Sequence, residues 1–267
     1  MDNLPSEHKS LTAEHGLSFY VDLGHTRLLF DFGAGANTLK NARKLGISPE
    51  KIDLAVISHG HYDHASGYPS FVEAGLRCPL FTGEGFFAEK YALDGIRATY
   101  LGTGFSPALL KETGIQHTQS NDLISIAPGC FLLGNFKRKW EFETIPGRFV
   151  LRENEGWKQD TFSDEICLVV QLPEGIAVIV GCSHPGILNI LDTVREHFNQ
   201  PIVAVMGGTH LVEAGEERIR KTIDSMKGMG IRLIGFNHCS GPLLKEMLQE
   251  EKQLNTVYLG AGDSLFL

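Results

Sequence analysis

The segment Ser58-His59-Gly60-His61-Tyr62-Asp63-His64 places three imidazoles and a carboxylate directly after the apolar run Leu54-Ala55-Val56-Ile57. A buried strand that ends in a polar turn delivers side chains to the edge of a sheet. In an extended stretch, residues two apart point to the same side. His59 and His61 can therefore grip one ion together, while the adjacent Asp63 and His64 diverge toward a second. Two ions about 3.5–4 Å apart clamp a substrate oxygen and generate a bridging hydroxide. Imidazole nitrogen with some carboxylate suits Zn2+, as one or two ions, with Fe or Mn as alternatives. Any one of these histidines alone reads as a solvated loop residue; their density at the end of an apolar strand sets the group apart.

Four ligands from one loop cannot complete two sites, so the remainder must come from distant strand ends. His184 follows the apolar run 176–180 in Gly181-Cys182-Ser183-His184-Pro185-Gly186, and His238 follows 233–236 in Asn237-His238-Cys239-Ser240-Gly241. His210 follows 202–206 in Gly207-Gly208-Thr209-His210. If these strands are neighbours in one parallel sheet, their C-terminal ends meet at one edge. His184 and His238 are expected ligands. His210 reads as a ligand, a general acid or a substrate-binding donor, against a turn histidine bonded to backbone. His15, as a lone histidine, reads as non-functional on its own, and His8, His25, His117 and His197 read as surface residues. The acidic run Asp160-Thr161-Phe162-Ser163-Asp164-Glu165 reads as a solvated turn rather than a contact to metal or substrate.

The elements that must position these residues are short. Strand patterns fall at 17–23, 26–32, 54–58, 166–172, 176–180, 202–206 and 233–236, with Gly24-His25 as a hairpin turn between the first two. Apolar residues at three- and four-residue spacing predict helices at 37–45, 187–198, 216–229 and 243–252. Gly46 and Gly230 sit at C-terminal stops, and Pro185 near a helix start. The stretch 84–160 is less regular: an inserted cap over a site, or loops and edge strands. One domain spanning 1–267 is expected.

The 267 residues, 42% hydrophobic and 21% charged, are enough to bury a sizeable core and exclude a disordered or fibrous chain. A net charge of −8 argues against a broad electrostatic grip on nucleic acid or anionic lipid. No apolar run approaches a membrane span, and the first residues lack the apolar segment of a signal peptide. The five cysteines (78, 130, 167, 182 and 239) show no paired spacing, which favours a reducing, cytoplasmic setting. The expected partner is a small molecule; the oligomeric state is not determined.

His59-x-His61-x-Asp63-His64 resembles the signature of the metallo-β-lactamase superfamily, which implies an α/β fold, a four-layer αββα sandwich with the metal site at one edge. Phe30-Asp31-Phe32-Gly33 resembles an early strand-end motif of that superfamily, which implies that Asp31 supports the metal loop; capping the following turn is the alternative. GCSHPG, GGTHL and HCSG, with Glu14-His15-Gly16-Leu17-Ser18, resemble one branch, named for dihydropterin-ribofuranosylaminobenzene-phosphate synthase. That branch implies a strand leading into Asp2-Asn3, so the expectation is a missing edge strand or disordered first residues. The superfamily commonly has a bridging Asp where Gly181-Cys182 stands here. Either His184 is the ligand and the bridge is altered, or Cys182 replaces the carboxylate. His184 is favoured, because small apolar-flanked cysteines are usually inert.

The function this implies is a hydrolase that directs a metal-activated hydroxide at a small phosphorylated or carbonyl substrate. Asp63 would orient the water, and His210, or else His15, would protonate the leaving group. The alternatives are a transferase of the named branch, which releases pyrophosphate, and a metal-bound ligand sensor without turnover. Two cations would give an acidic protein a positive pocket, suited to an anionic substrate.

Overall fold

The computed structural model describes residues 1–154 and 156–267. One sheet orders β1 (Phe19–Asp22), β2 (Arg27–Phe30), β3 (Leu54–Val56), β4 (Leu80–Thr82) and β7 (His117–Gln119). A second, antiparallel sheet orders β11 (Gly156–Gln159), β10 (Phe149–Glu153), β5 (Lys90–Asp94) and β6 (Arg97–Tyr100). The third runs β16 (Asn255–Thr256), β15 (Leu233–Phe236), β14 (Ile202–Gly207), β13 (Gly175–Val180), β12 (Cys167–Leu172), β9 (Cys130–Leu133) and β8 (Ile124–Ala127). The helices are α1 (Asn37–Lys44), α2 (Tyr62–Ala65), α3 (Tyr68–Glu73), α4 (Pro107–Thr113), α5 (Ile187–His197), α6 (Glu216–Gly228) and α7 (Pro242–Gln249).

The period-two alternation of the strands sorts their side chains into layers. Leu28 and Phe30 of β2 face Leu168, Val170, Ala177, Ile179, Ala204 and Met206 of the third sheet, forming the core between the sheets. Leu29 points the other way, into a core with Leu39 of α1, Phe71 of α3 and Leu110 of α4. Val169, Val178 and Val205 likewise turn outward against Ile190 of α5, Ile223 of α6 and Leu244 of α7. Helices thus cover both outer faces of two packed sheets, the four-layer αββα order.

Parallel pairing brings the functional ends to one edge. β2 and β3 run parallel with Phe30 opposite Val56. β13, β14 and β15 run parallel, with Val180 opposite Gly207 and Gly207 opposite Phe236. The hairpin through Gly24-His25 forms as expected, with Asp22 opposite Arg27. The strand predicted over 26–32 stops at Phe30, because Asp31 takes a left-handed φ of 62°. The stretch 84–160 is divided: β5 and β6 pair with β10 and β11, β7 joins the first sheet, and β8 and β9 join the third. Among the described residues, no helix is long and apolar enough to cross a membrane.

Candidate metal centre

The loop after β3 leads into α2 and carries the dense cluster. His59, His61, Asp63 and His64 are all buried. The ring centroids of His59 lie 4.8 Å from His61 and 4.2 Å from His64. His184, after β13, brings its ring to 5.0 Å from both His59 and His61. His238, after β15, stands 4.9 Å from the ring of His64. The third sheet therefore delivers His184 to the His59–His61 side of the centre and His238 to the Asp63–His64 side.

The hydrogen-bond inventory fits a cation. Among the described residues, His59 Nε2, His61 Nε2 and both ring nitrogens of His184 are buried without a hydrogen-bond partner. Buried polar atoms are nearly always paired, and an orphan costs about 1–3 kcal/mol. His238 donates Nδ1–H to Asn3 Oδ1 at 2.9 Å, which leaves its Nε2 lone pair 3.2 Å from Asp63 Oδ2 and not aligned to hydrogen-bond it. A lone pair facing a carboxylate is repulsive unless a cation or proton lies between them. Several imidazoles, a carboxylate and a thiol form a donor set that could hold Zn2+ or a similar ion.

Asp31 does what the resemblance implies. Its Oδ1 accepts the Ser58 N–H at 2.7 Å, and its Oδ2 accepts Ser58 Oγ–H at 2.9 Å and His64 Nδ1–H at 2.6 Å. With that nitrogen fixed, His64 Nε2 is free to bind, and it lies 3.1 Å from Cys182 Sγ. Capping the following turn is not its role. Asp63 is held well below the usual carboxylate range, against the opposing effect of burial, by His64 and by the hydrogen bond from His15.

The expectation of a solvated turn at 160–165 is overturned. Asp160, Asp164 and Glu165 are buried. Lys90, itself buried on β5, bonds Asp160 Oδ2 at 2.7 Å and Asp164 Oδ1 at 2.9 Å. Asp164 Oδ2 also accepts the Gly60 N–H at 2.8 Å, so this ion pair props the metal loop from below. Glu165 accepts the N–H groups of Ser183 and His184 at 2.6 and 2.9 Å, and burial pushes its carboxyl up to about 8. A carboxylate run leading straight into the apolar stretch 166–172 was the available signal that these groups are carried inward.

The remaining histidines separate clearly. His15 is exposed (56 % for its side chain), yet its Nε2 bonds Asp63 Oδ2 at 3.0 Å, and that bond raises its pKa. It belongs to the site, contrary to the reading of it alone. His210 lies 4.3 Å from the His184 ring and 5.5 Å from Phe149. Burial lowers it to about 4, so its ring is neutral near pH 7 and is no reservoir of imidazolium. His8, His25 and His197 are exposed. His117 departs from the surface expectation: it is half-buried on β7, with Nε2 2.9 Å from Thr82 Oγ1.

Sequence reading missed Asn3, Phe149 and Phe162. Asn3 Oδ1 also accepts the Gly16 N–H, and its Nδ2 faces His15 Nδ1, so one amide orients both His15 and His238. Phe162 stacks on His184 at 3.7 Å and 10°, and Phe149 approaches the rings of His61 and His184 at 5.8 and 5.3 Å. Among the described residues, non-glycine left-handed backbone occurs at Asp31, Phe162, Ser183, His210 and His238, all here, and otherwise only at Asn135. Strain of this kind is held where function needs it.

An αββα sandwich with a histidine-rich edge at the C-terminal strand ends defines the metallo-β-lactamase class. The family model described as the Metallo-beta-lactamase superfamily matches residues 11–75. The chain is 32% identical over 265 residues, covering 94% of itself and 89% of the relative, to a Methanocaldococcus jannaschii protein named 7,8-dihydropterin-6-methyl-4-(beta-D-ribofuranosyl)-aminobenzene-5'-phosphate synthase. An uncharacterised protein of the same organism is 28% identical, with 95% of this chain and 93% of that one covered. The crystal structure of a metal-dependent hydrolase of the beta-lactamase superfamily superposes with a TM-score of 0.84 at 31% identity, covering 100% of this chain and 96% of that one. This chain belongs to the metallo-β-lactamase superfamily. Within it, the chain falls on the branch of the synthase-named relative.

Proposed function

We propose that the chain is a metal-dependent hydrolase of a small anionic substrate, with His59, His61, Asp63, His64, His184 and His238 holding one or two zinc ions, or iron or manganese instead. The observation that carries this is a cluster of buried imidazole nitrogens without partners, those of His59 and His184 grouped with Cys182 and that of His238 beside the Asp63 carboxylate. Cations bound there would polarise a carbonyl or phosphoryl oxygen and lower the pKa of water. Asp63, ionised, holds the Nε2–H of His15. His15 is exposed where His210 is half-buried, and the proton-donor role passes to it from His210. His210, neutral, presents a hydrogen bond to the substrate. Phe149 and Phe162 shield the His61–His184 side from water.

The same reading takes 1–267 as one domain, with the sheet of β5, β6, β10 and β11 as a cap; Phe149 of β10 supports this by reaching the site. Five free, buried cysteines fit a cytoplasmic setting. A second reading, a synthase releasing pyrophosphate, is favoured by the name of the 32%-identical relative.

The test is a turnover screen of the zinc-loaded protein. One arm offers lactones, thioesters and phosphodiesters; the other offers a pterin diphosphate with an aromatic amine. Hydrolysis in the first arm is expected. Pyrophosphate release only in the presence of the amine would replace the hydrolase with the synthase. Full metal loading with no turnover in either arm would leave a ligand sensor.

A further inference from the structure

We propose that Cys182 is a ligand shared by both halves of the centre, a thiolate standing between the two histidine groups. This rests on the metal-centre reading. Two sets of donor atoms each converge within 4.8 Å, His59–Cys182–His184 and His64–Cys182–His238, and Cys182 is the member common to both. The residue is only 3 % exposed, and its Sγ is turned toward the nitrogen of His64 that Asp31 leaves free. Cys130 and Cys167, by contrast, pack among aliphatic side chains in the cores. The unpartnered nitrogens of His59, His184 and His238 surround the sulfur and point to the same ligand. A thiolate has lone pairs for two cations, and its softness selects zinc over harder ions.

The backbone around Cys182 is arranged for this. Gly181 presses on the first loop so closely that a Cβ there would strike Ser58 Oγ. A Cβ on Gly208 would lie 2.7 Å from the Gly181 carbonyl. Glu165 holds the turn through two backbone N–H groups, and Ser183 donates Oγ–H to the Gly208 carbonyl at 2.7 Å. The turn thereby directs Cys182 and His184 to the same place, rather than one or the other. Cys239 belongs to neither donor set: its Sγ lies 3.3 Å from the His210 backbone nitrogen and 3.7 Å from the Cys182 carbonyl oxygen, and it borders the Cys182 thiol, so Cys239→Ser separates the contribution of the neighbouring sulfur from that of Cys182.

The experiment loads the metal-free full chain with cobalt(II) alone and records its absorption spectrum and bound cobalt per chain. It is repeated on Cys182→Ser, Cys182→Asp and Cys239→Ser, with folding checked by circular dichroism. The expected result is a near-ultraviolet thiolate-to-cobalt band in the wild type and in Cys239→Ser, absent from both Cys182 variants. Cobalt affinity should fall at least about tenfold in Cys182→Ser, since even groups one bond removed from a metal cost 10–100-fold. Cys182→Asp should recover affinity without the band. Visible cobalt bands with no near-ultraviolet band in the wild type would overturn the role of Cys182 and leave the metal centre standing. A folded wild type that binds no cobalt would overturn both. The wild type and Cys239→Ser alone decide the matter if the Cys182 variants do not fold.

Discussion

The two halves of the centre are built by opposite strategies. The loop after β3 concentrates His59, His61, Asp63 and His64 in one short segment, and distant residues hold it in shape: Asp31 through Ser58 and His64, and Lys90 through Asp164 and Gly60. The third sheet contributes one short turn per strand end, bearing Cys182 and His184, then His210, then His238; Glu165 holds the first of these turns from the preceding strand's entry, and Asp2 and Asn3 hold the last from the far end of the chain. Dense ligands need long-range support because a single loop cannot order itself around several mutually repelling dipoles. Dispersed residues are brought together by register, because parallel strands already end together, and long-range hydrogen bonds such as those of Asp2 and Asn3 to His238 then orient them.

If the dense loop is the indispensable half, His59→Ala abolishes turnover and leaves a folded chain, as read by activity and circular dichroism. A metal-bound, fully active His59→Ala protein would break the comparison. Removing the support should cost stability: Lys90→Met strands two buried carboxylates and is expected to lower unfolding free energy by about 3–5 kcal/mol in urea titration. Asp31→Asn disturbs His64 directly and His59 through Ser58 Oγ, and a metal-affinity loss of about 10–100-fold is expected by competitive chelation. On the dispersed side, Asn3→Ala frees the rings of His238 and His15, and the loss should sit at the low end, about tenfold.

The smallest effect concerns the helix behind the dispersed turns. Glu143 accepts the N–H groups of Leu188 and Asn189, both at 2.9 Å, and burial pushes its carboxyl from 4.5 up to about 7. The folded state then holds a proton that the unfolded chain releases. Its contribution is complete below pH 4.5 and is lost as pH rises through 7. The wild type should lose denaturant resistance relative to Glu143→Gln over that window. Parallel curves for the two proteins would show that Glu143 carries no such linkage.

Legibility followed the same division. His59, His61, Asp63 and His64 stand out because their spacing is local, and the strands at 176–180, 202–206 and 233–236 show in the apolar runs that precede His184, His210 and His238. Asp160, Asp164 and Glu165 were misread because polarity signals exposure unless a partner is known, and their partner Lys90 lies far away in sequence. Cys182 was set aside because a lone cysteine between small residues resembles core. His15 stood second to His210 as proton donor, carried only by the branch resemblance, because nothing in its own neighbourhood points to Asp63.

The sequence by itself determined the main strand and helix runs, the hairpin and the dense His-Asp loop, which follow from periodicities of two and 3.6 and from adjacent donors, while the layer order came from the family resemblance and the parallel pairing from the structure. Only the tertiary structure decided that Cys182 and His184 lie beside His59 and His64, that burial lowers the pKa of His210, that Asn3 and Glu165 orient His238 and the 183–184 turn, and that an acidic run is buried on a lysine. Those outcomes depend on which groups meet across long stretches of chain, and on the low dielectric where they meet. Neither is written in local spacing.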